Sequence, residues 1–178
     1  VGVLSADQSL YTGNFRSGER TFSLITQVVG RCGRGEKAGR AVIQTFTPDN
    51  EIIRQAAGQD YEAFYRGELE MRRLQNDPPF TDMTVITAAG SNEATTLRCA
   101  SEIRDRLQSR FRREPGMTVI GPAPYAVVRV NNKFRYRVTL LGRDSKAVRQ
   151  TVADLLCDCN TRKEFKGVSV FADANPID

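Results

Sequence analysis

The alternation of apolar and polar residues over residues 82–178 predicts four strands and two helices. The predicted strands are short apolar runs, and the predicted helices are longer segments whose apolar residues recur three or four positions apart. We predict strands at residues 83–90, 117–130, 134–142 and 167–173, and helices at residues 92–111 and 144–160. This strand–helix–strand–strand–helix–strand order predicts a ferredoxin-like α+β domain, with an antiparallel sheet and two helices on one of its faces.

Prolines and asparagines in the middle of this predicted domain indicate a strand interruption and a turn. Pro122 and Pro124 are expected to break the second strand, because proline has no N–H to donate to a sheet. Asn131 and Asn132 then predict a tight turn that pairs the second strand with the third as a hairpin.

Residues 1–57 have a different pattern, typical of an α/β strand–helix–strand unit. Apolar runs at residues 1–6 and 40–46 predict two strands, and the helix predicted between them at residues 19–33 indicates that they are parallel. The apolar face of that helix consists of Phe22, Ile25, Val28, Val29 and Cys32. Two such strands alone leave apolar faces and unpaired edges in water.

Two further helices are predicted at residues 49–58 and 59–76. Glu68 and Arg72 are four positions apart on the second of these helices, a spacing at which the two side chains can pair. The segment Asp-Pro-Pro-Phe at residues 77–80 ends the helix, because residues before proline avoid the α region. We therefore place the main boundary of the chain at this segment.

A polar stripe runs along the last turns of the helix predicted at residues 19–33. Gln27, Arg31 and Arg34 follow the i, i+4, i+7 spacing of one helix face, opposite the apolar face. Gly30 interrupts the pattern, although glycine within a helix costs about 1 kcal/mol relative to alanine, and it keeps the stripe uncrowded. Because guanidinium groups bind phosphate with paired hydrogen bonds, the stripe indicates a phosphate site. The alternative is a basic and solvated helix end.

The composition narrows the possible classes of protein and site. The 178-residue chain has a formal charge of +5, which favours an anionic partner, and it has no histidine, the commonest general base and metal ligand. Its four cysteines form no Cys-x-x-Cys pair, which predicts reduced thiols and no metal site. Without a membrane-length apolar run or a signal peptide, the chain is predicted to be cytoplasmic, and its first strand indicates a fragment of a longer protein.

Several segments, taken together, resemble a known family. The stretch QVVGRCGRG is similar to motif VI of superfamily-two helicases, Gln-x-x-Gly-Arg-x-x-Arg. The segments NFRSGER, DYEAFYRGELEMRR, DPPF, GPAPYAVVRVNNKFRYRVTLL and FADANPID follow in the order seen in the PriA family of primosomal replication-restart helicases. The resemblance covers nearly the whole chain. Asn14 stands where the family usually has aspartate, and Val29 and Cys32 stand where it usually has alanine.

The resemblance implies the C-terminal part of an ATP-dependent 3′→5′ DNA helicase that restarts stalled replication forks and begins primosome assembly in the bacterial cytoplasm, near the nucleoid. Residues 1–57 would then be part of the second RecA-like motor lobe, residues 58–81 a connecting helix and linker, and residues 82–178 a C-terminal domain that binds DNA and partners. ATP and Mg²⁺ would act in the intact helicase, and zinc would bind elsewhere in it. The chain alone is expected to bind none of them and to be inactive.

Specific residues acquire roles through the resemblance. The motif VI residues, expected to face the nucleotide phosphates in the intact helicase, are Gln27, Arg31 and Arg34. Of these, Arg34 is the better candidate for an arginine finger.

Basic residues of the predicted hairpin form a candidate DNA-binding set. They are Arg129, Lys133, Arg135, Arg137 and Arg143, with no acid among them. Period-two alternation places Arg135 and Arg137 on one strand face and directs Phe134 and Tyr136 to the other, where core packing is expected. The alternative for this set is a solvated sheet face.

Partners other than forked or single-stranded DNA also follow from the resemblance. The family interacts with other primosome proteins and binds the acidic C-terminal tail of single-stranded-DNA-binding protein (SSB), for which Lys146 and Arg149 are candidate contacts. An alternative from another functional class is a stand-alone, non-catalytic nucleic-acid-binding or adaptor module. A phosphate loop encoded upstream of Val1 would favour the helicase, and a stop codon there would favour the module.

Overall fold

The computed structural model describes residues 1–32 and 39–176 and divides the chain into two compact units. Unit 1 runs from Val1 to Asp77, and unit 2 begins at Pro78. The division falls inside the Asp-Pro-Pro-Phe segment, where the sequence predicts the main boundary. The assignment of residues 1–57 to a motor lobe and of residues 58–81 to a linker stays a prediction.

The described residues of unit 1 form a short parallel strand pair and three helices. Its elements are β1 (Gly2–Val3), a 3₁₀ turn (Ala6–Ser9), α1 (Ser17–Arg31), β2 (Val42–Ile43), α2 (Glu51–Ala57) and α3 (Tyr61–Gln75). The strands pair in parallel, as predicted, with Gly2 opposite Val42. They are shorter than the predicted strands, although a backbone hydrogen bond from the N–H of Ala6 to the carbonyl of Gln44 extends the contact between the two segments.

The core of unit 1 is formed by the apolar faces of its helices. Phe22 and Ile25 of α1 pack with Ile53 of α2 and Phe64 of α3, and the Phe22 and Phe64 rings stack with centroids 4.1 Å apart. Two of these helices begin at side-chain caps: Asn50 Oδ1 accepts hydrogen bonds from two backbone N–H groups of α2, and the Asp60 side chain accepts one from a backbone N–H group of α3. The large apolar residues that remain exposed around the strands include Val1, Leu4, Val42 and Phe46.

A buried carboxylate holds the segment after β2 against the 3₁₀ turn. Asp7 is 8% exposed, and it accepts hydrogen bonds from the hydroxyls of Thr45 and Thr47 and from the backbone N–H of Phe46. These hydrogen bonds favour the ionised carboxylate and hold the pKa of Asp7 well below its usual range. The Asp7 side chain therefore extends the hydrogen bonding between the two segments beyond the short strands.

Unit 2 is an α+β domain with the predicted order of elements. These are β3 (Asp82–Gly90), α4 (Glu93–Phe111), β4 (Thr118–Val130), β5 (Lys133–Gly142), α5 (Lys146–Thr161), a 3₁₀ turn (Lys163–Phe165) and β6 (Val168–Ala174). The strands form a four-stranded antiparallel sheet in the order β4-β5-β3-β6. The core contains Ile103 and Leu107 of α4, Leu155 of α5, and the sheet residues Ile86 and Val138.

Strand β4 differs from the prediction. Instead of breaking at Pro122 and Pro124, it continues from Thr118 to Val130 with two register shifts against β5. The prolines are tolerated because β4 is an edge strand, where a missing N–H need not leave a neighbour unpaired. The predicted hairpin turn is confirmed: Asn131 and Asn132 have φ angles of 50° and 60° and connect the paired residues Val130 and Lys133.

Candidate phosphate and nucleic-acid sites

The exposed side of α1 carries the described part of the polar stripe. Gln27 and Arg31 lie one helical turn apart at the end of α1, and both are exposed. The helix ends at Cys32, whose N–H donates to the carbonyl of Val29 at 3.0 Å. Arg34, the candidate arginine finger, lies outside the described residues, so its prediction stands on the sequence alone.

The opposite side of α1 is held in the core of unit 1. Phe22 and Ile25 are buried and Val29 packs against them, as the apolar pattern predicts. Gly30 lies exposed on the helix surface, and a Cβ at this position would lie 3.3 Å from the Nε2 atom of Gln59. Because Gln59 Nε2 is the end of a flexible side chain, packing inside unit 1 does not by itself require glycine here.

A partly buried arginine, Arg72, connects the start of α1 with α3. The guanidinium of Arg72 donates to Glu68 Oε1 at 2.8 Å and to Glu19 Oε2 at 3.0 Å. It also lies over the ring of Phe15, with 5.2 Å between the guanidinium carbon and the ring centroid. The Glu68–Arg72 pair is therefore confirmed, and its extension to Glu19 connects the NFRSGER segment with the segment that contains Arg72.

In unit 2, two arginines lie on the sheet face opposite α4 and α5, which we call the outer face. Arg135 and Arg137 alternate with the core residues of β5, and their guanidinium carbons lie 4.2 and 5.6 Å from the ring centroid of Tyr125. The Tyr125 hydroxyl is 2.6 Å from Oγ1 of Thr87, a residue of β3 that is 1% exposed. In the described part of the chain neither arginine has an acidic partner, so this pair presents concentrated positive charge.

The remaining members of the predicted DNA-binding set do not join this pair. Arg129 lies opposite Phe134 in the hairpin and stacks over its ring at 5.2 Å, on the helix-bearing side of the sheet. Arg143 directly follows β5 at the end away from the turn, roughly 30 Å from Lys133 for an extended strand of this length. Lys133 alternates in phase with Arg135, so it belongs to the same face at the hairpin end.

The aromatic residues predicted for the core of unit 2 are found there. Tyr136 is 8% exposed, and Phe134 packs at the edge of the same cluster. The Tyr136 hydroxyl donates a hydrogen bond to Glu93 Oε1 at 2.8 Å, and this hydrogen bond raises the pKa of Tyr136.

The arginines of α4, in contrast, are largely neutralised by acids. Arg104 pairs with Asp105, and Arg110 pairs with Glu114. Arg106 pairs with Asp158 of α5. These paired charges attract a polyanion more weakly than the arginines of the outer face do.

The candidate contacts for an acidic partner tail lie at the start of α5. Lys146 and Arg149 are both exposed on this helix, whose first turn is capped by Ser145. Arg149 forms an ion pair with Asp144, so an acidic tail would have to compete with a carboxylate already present.

With this geometry described, the chain can be compared with known proteins. The family model of the primosomal protein N C-terminal domain matches residues 73–177, which include all strands of unit 2. The chain belongs to the PriA family. Unit 2 therefore corresponds to the C-terminal domain of PriA proteins.

The curated PriA relatives extend the similarity into unit 1. The replication restart protein PriA of Bacillus subtilis is 34% identical over 176 residues, which is 99% of this chain and 22% of the relative. The PriA protein of Chlamydia muridarum is 33% identical over 98% of this chain, and that of Synechocystis is 33% identical over 78%. The chain spans 22% of the Bacillus subtilis PriA, 23% of the Chlamydia PriA and 16% of the Synechocystis PriA.

The contribution of Tyr125 to the outer face was not predicted from the sequence. Tyr125 belongs to the GPAPY segment, but its alignment with Arg135 and Arg137 depends on the register shifts of β4. The available signal was a tyrosine directly after the strand interruption expected at Pro122–Pro124, in a segment shared with the PriA family.

The described residues of this PriA-family chain contain no group of three or more cysteine and acidic side chains placed to hold a metal ion. Over the same ranges, no helix has both the length and the apolar character needed to cross a membrane.

Proposed function

We propose that this chain acts as the C-terminal part of an ATP-dependent 3′→5′ DNA helicase that restarts stalled replication forks and begins primosome assembly. Its membership of the PriA family supports this proposal, as do relatives named replication restart protein PriA that match almost the whole chain. Because the chain spans about a fifth of those relatives, helicase activity is proposed for the longer protein and not for these residues alone.

In this proposal motif VI begins on α1, and Gln27, Arg31 and Arg34 contact the phosphates of a nucleotide. The supporting observation is that Gln27 and Arg31 are exposed on one side of α1 while its other side is fixed in the core. ATP and Mg²⁺ would be held mainly by parts of the helicase outside this chain, as would the zinc ions of the family. Guanidinium groups here would stabilise charge on the phosphates during hydrolysis.

Unit 2 is proposed to bind DNA through the phosphates of its backbone. The observation that carries this proposal is the pair of arginines on the outer face, held over one tyrosine ring without acidic partners among the described residues. We interpret the domain as ferredoxin-like, which the strand order β4-β5-β3-β6 and the shared core of the sheet and both helices support. Arginine pairs of this kind neutralise phosphates and release counterions.

The experiment is a titration of labelled DNA with the whole 178-residue chain, followed by fluorescence anisotropy between about 50 and 200 mM salt. The double variant Arg135→Gln/Arg137→Gln should reduce the dependence of log K on log salt by roughly 1.4–1.8, as expected for two lost phosphate contacts. The matched control Arg106→Gln/Arg110→Gln removes the same charge from α4, where acids already pair with it. Equal effects of the two double variants would refute the assignment.

An SSB tail remains a proposed partner, with Lys146 and Arg149 as its contacts. The support is their exposure at the start of α5. Separation of Arg149 from Asp144 would be part of the binding reaction. A peptide of the SSB tail should bind the whole chain more weakly after Lys146→Glu than after the control substitution Arg112→Glu. Arg112 is also exposed and lies on the segment that follows α4.

A further inference from the structure

The outer face of unit 2 has an exposed aromatic ring in line with one of its arginines. Phe171 of β6 lies opposite Thr87 of β3, and Thr87 lies opposite Arg137 of β5. Directly opposed residues in antiparallel strands project from the same face, so these three side chains form one row across the sheet. Phe171 is 43% exposed, whereas its neighbour Val170 is buried in the core.

The row has an aromatic end and a cationic end. Two strand spacings separate Phe171 from Arg137, or about 10 Å between their Cα atoms. The residue between them, Thr87, is small and buried, and its hydroxyl is engaged by Tyr125. A nucleotide and an extended arginine side chain together span this separation, with a base over the ring and a phosphate at the guanidinium group.

Charge is distributed unevenly over the outer face. Asp173 lies on the same face as Phe171, one row further along β6 and opposite Val85. Ser169, on the other side of Phe171, lies opposite Ala89, which in turn lies opposite Arg135. Phosphates are therefore attracted to the part of the face near the arginines and repelled from the row that contains Asp173.

Tyr125 holds the cationic end in place. Its ring lies against both guanidinium groups, and its hydroxyl is bound to Thr87 in the middle of the row. A cation–π contact limits the rotamers of a long side chain, so Tyr125 lowers the entropy that each arginine loses on binding a phosphate. Tyr125 thus acts as a positioning residue.

We propose that the outer face binds single-stranded DNA, with an unpaired base stacked on Phe171 and the neighbouring phosphates held by Arg135 and Arg137. This inference rests on the proposed DNA-binding function and narrows its ligand to strands with unpaired bases. In a duplex the base faces are occupied by neighbouring bases, so a duplex can use the arginines but not the ring. Stacking on an aromatic side chain adds affinity without sequence preference, because every base has a flat π face.

The test compares three ligands with the whole chain: a labelled single strand, the same strand with abasic sites, and its duplex. Phe171→Leu should weaken binding of the single strand by roughly 5-fold or more and leave duplex binding and the salt dependence unchanged. Phe171→Tyr should retain single-strand binding, and the abasic strand should bind the wild-type chain and Phe171→Leu equally. Ile120→Ala, a control on an exposed apolar residue of β4, should change none of these affinities.

Some outcomes separate this inference from the proposed function. If Phe171→Leu binds single strands as well as the wild type, while Arg135→Gln/Arg137→Gln loses salt-dependent binding, stacking is refuted and phosphate binding stands. Equal losses for single strand and duplex also refute stacking. If the wild-type chain binds no DNA, both proposals fail. If Phe171→Leu does not fold, the test uses only the affinities of the wild-type chain. Equal affinity of that chain for the abasic and the normal strand overturns the inference.

Discussion

The hydrogen bond between Tyr125 and Thr87 gives a prediction that depends on how deeply each partner is buried. Thr87 is 1% exposed in the middle of the sheet, whereas Tyr125 is half-buried in β4, and their oxygens are 2.6 Å apart. Tyr125→Phe removes the tyrosine oxygen and leaves the Thr87 hydroxyl buried without its partner. Thr87→Val removes the threonine oxygen and leaves a tyrosine hydroxyl that water can still reach.

The exposed fractions of the two residues determine how much each substitution should lower the free energy of unfolding. A buried hydroxyl that loses its partner costs about 1–3 kcal/mol, so Tyr125→Phe should lower the free energy of unfolding of unit 2 by that amount. For a domain of this size, each kcal/mol corresponds to a fall in Tm of roughly 4–8 °C. Thr87→Val should cost less than Tyr125→Phe. The double variant should be about as stable as Thr87→Val alone, because no buried oxygen is then left unpaired.

The assay is thermal and urea unfolding of the whole chain and the three variants, followed by circular dichroism and by intrinsic tyrosine fluorescence where tyrosines are unchanged. Ile120→Ala, at an exposed position of the same strand, provides the control because it leaves no buried oxygen without a partner. The reasoning is refuted if the double variant loses the sum of the two single losses. It is also refuted if Thr87→Val is the more destabilising single change.

Three further predictions concern other parts of the chain. In a longer PriA-family helicase that contains this sequence, Arg34→Ala should lower DNA-stimulated ATP hydrolysis by about 10³ or more while ATP binding persists; near-normal turnover would contradict the motif VI assignment. Asp7 has a lowered pKa, so its stabilising effect is complete above about pH 4 and is lost as pH falls towards its folded pKa. In Asp7→Asn, the free energy of unfolding should therefore decrease less steeply than in the wild type as the pH falls below about 4. An equally steep decrease in both proteins would contradict this. Leu107→Ala, at a fully buried position, should lower the free energy of unfolding measured in urea by about 2–5 kcal/mol. A loss below about 1 kcal/mol would contradict this and show that the core relaxes into the space left by the side chain.

Local patterns were sufficient to predict most of the fold of unit 2. The elements β3, α4, β5, α5 and β6 have the expected order, because each has a clear apolar period and a turn or cap beside it. Ser145, for example, caps α5 by accepting a hydrogen bond from the N–H of Val148. Likewise, an i, i+4 spacing was enough to predict the Glu68–Arg72 pair, since the geometry of a helix fixes that distance.

Contacts between distant segments were less predictable. The position of Tyr125 depends on register shifts in β4, which no period in the sequence reveals. For the same reason Arg129 lies over Phe134 instead of beside Arg135. The neutralisation of Arg106 depends on Asp158, an acid 52 residues later that only the packing of α5 against α4 brings within reach.

The unequal pairing of charges on the two sides of unit 2 has a kinetic consequence. Ion pairs such as Arg106–Asp158 act as small dipoles, whose field falls off faster with distance than the field of the unpaired Arg135 and Arg137. If unit 2 binds DNA as proposed, a strand that diffuses within about 10 Å, the Debye length at 0.1 M salt, should be turned towards the outer face before contact. In that case the acids of α4 and α5 would influence the orientation and the rate of the encounter without contacting the ligand.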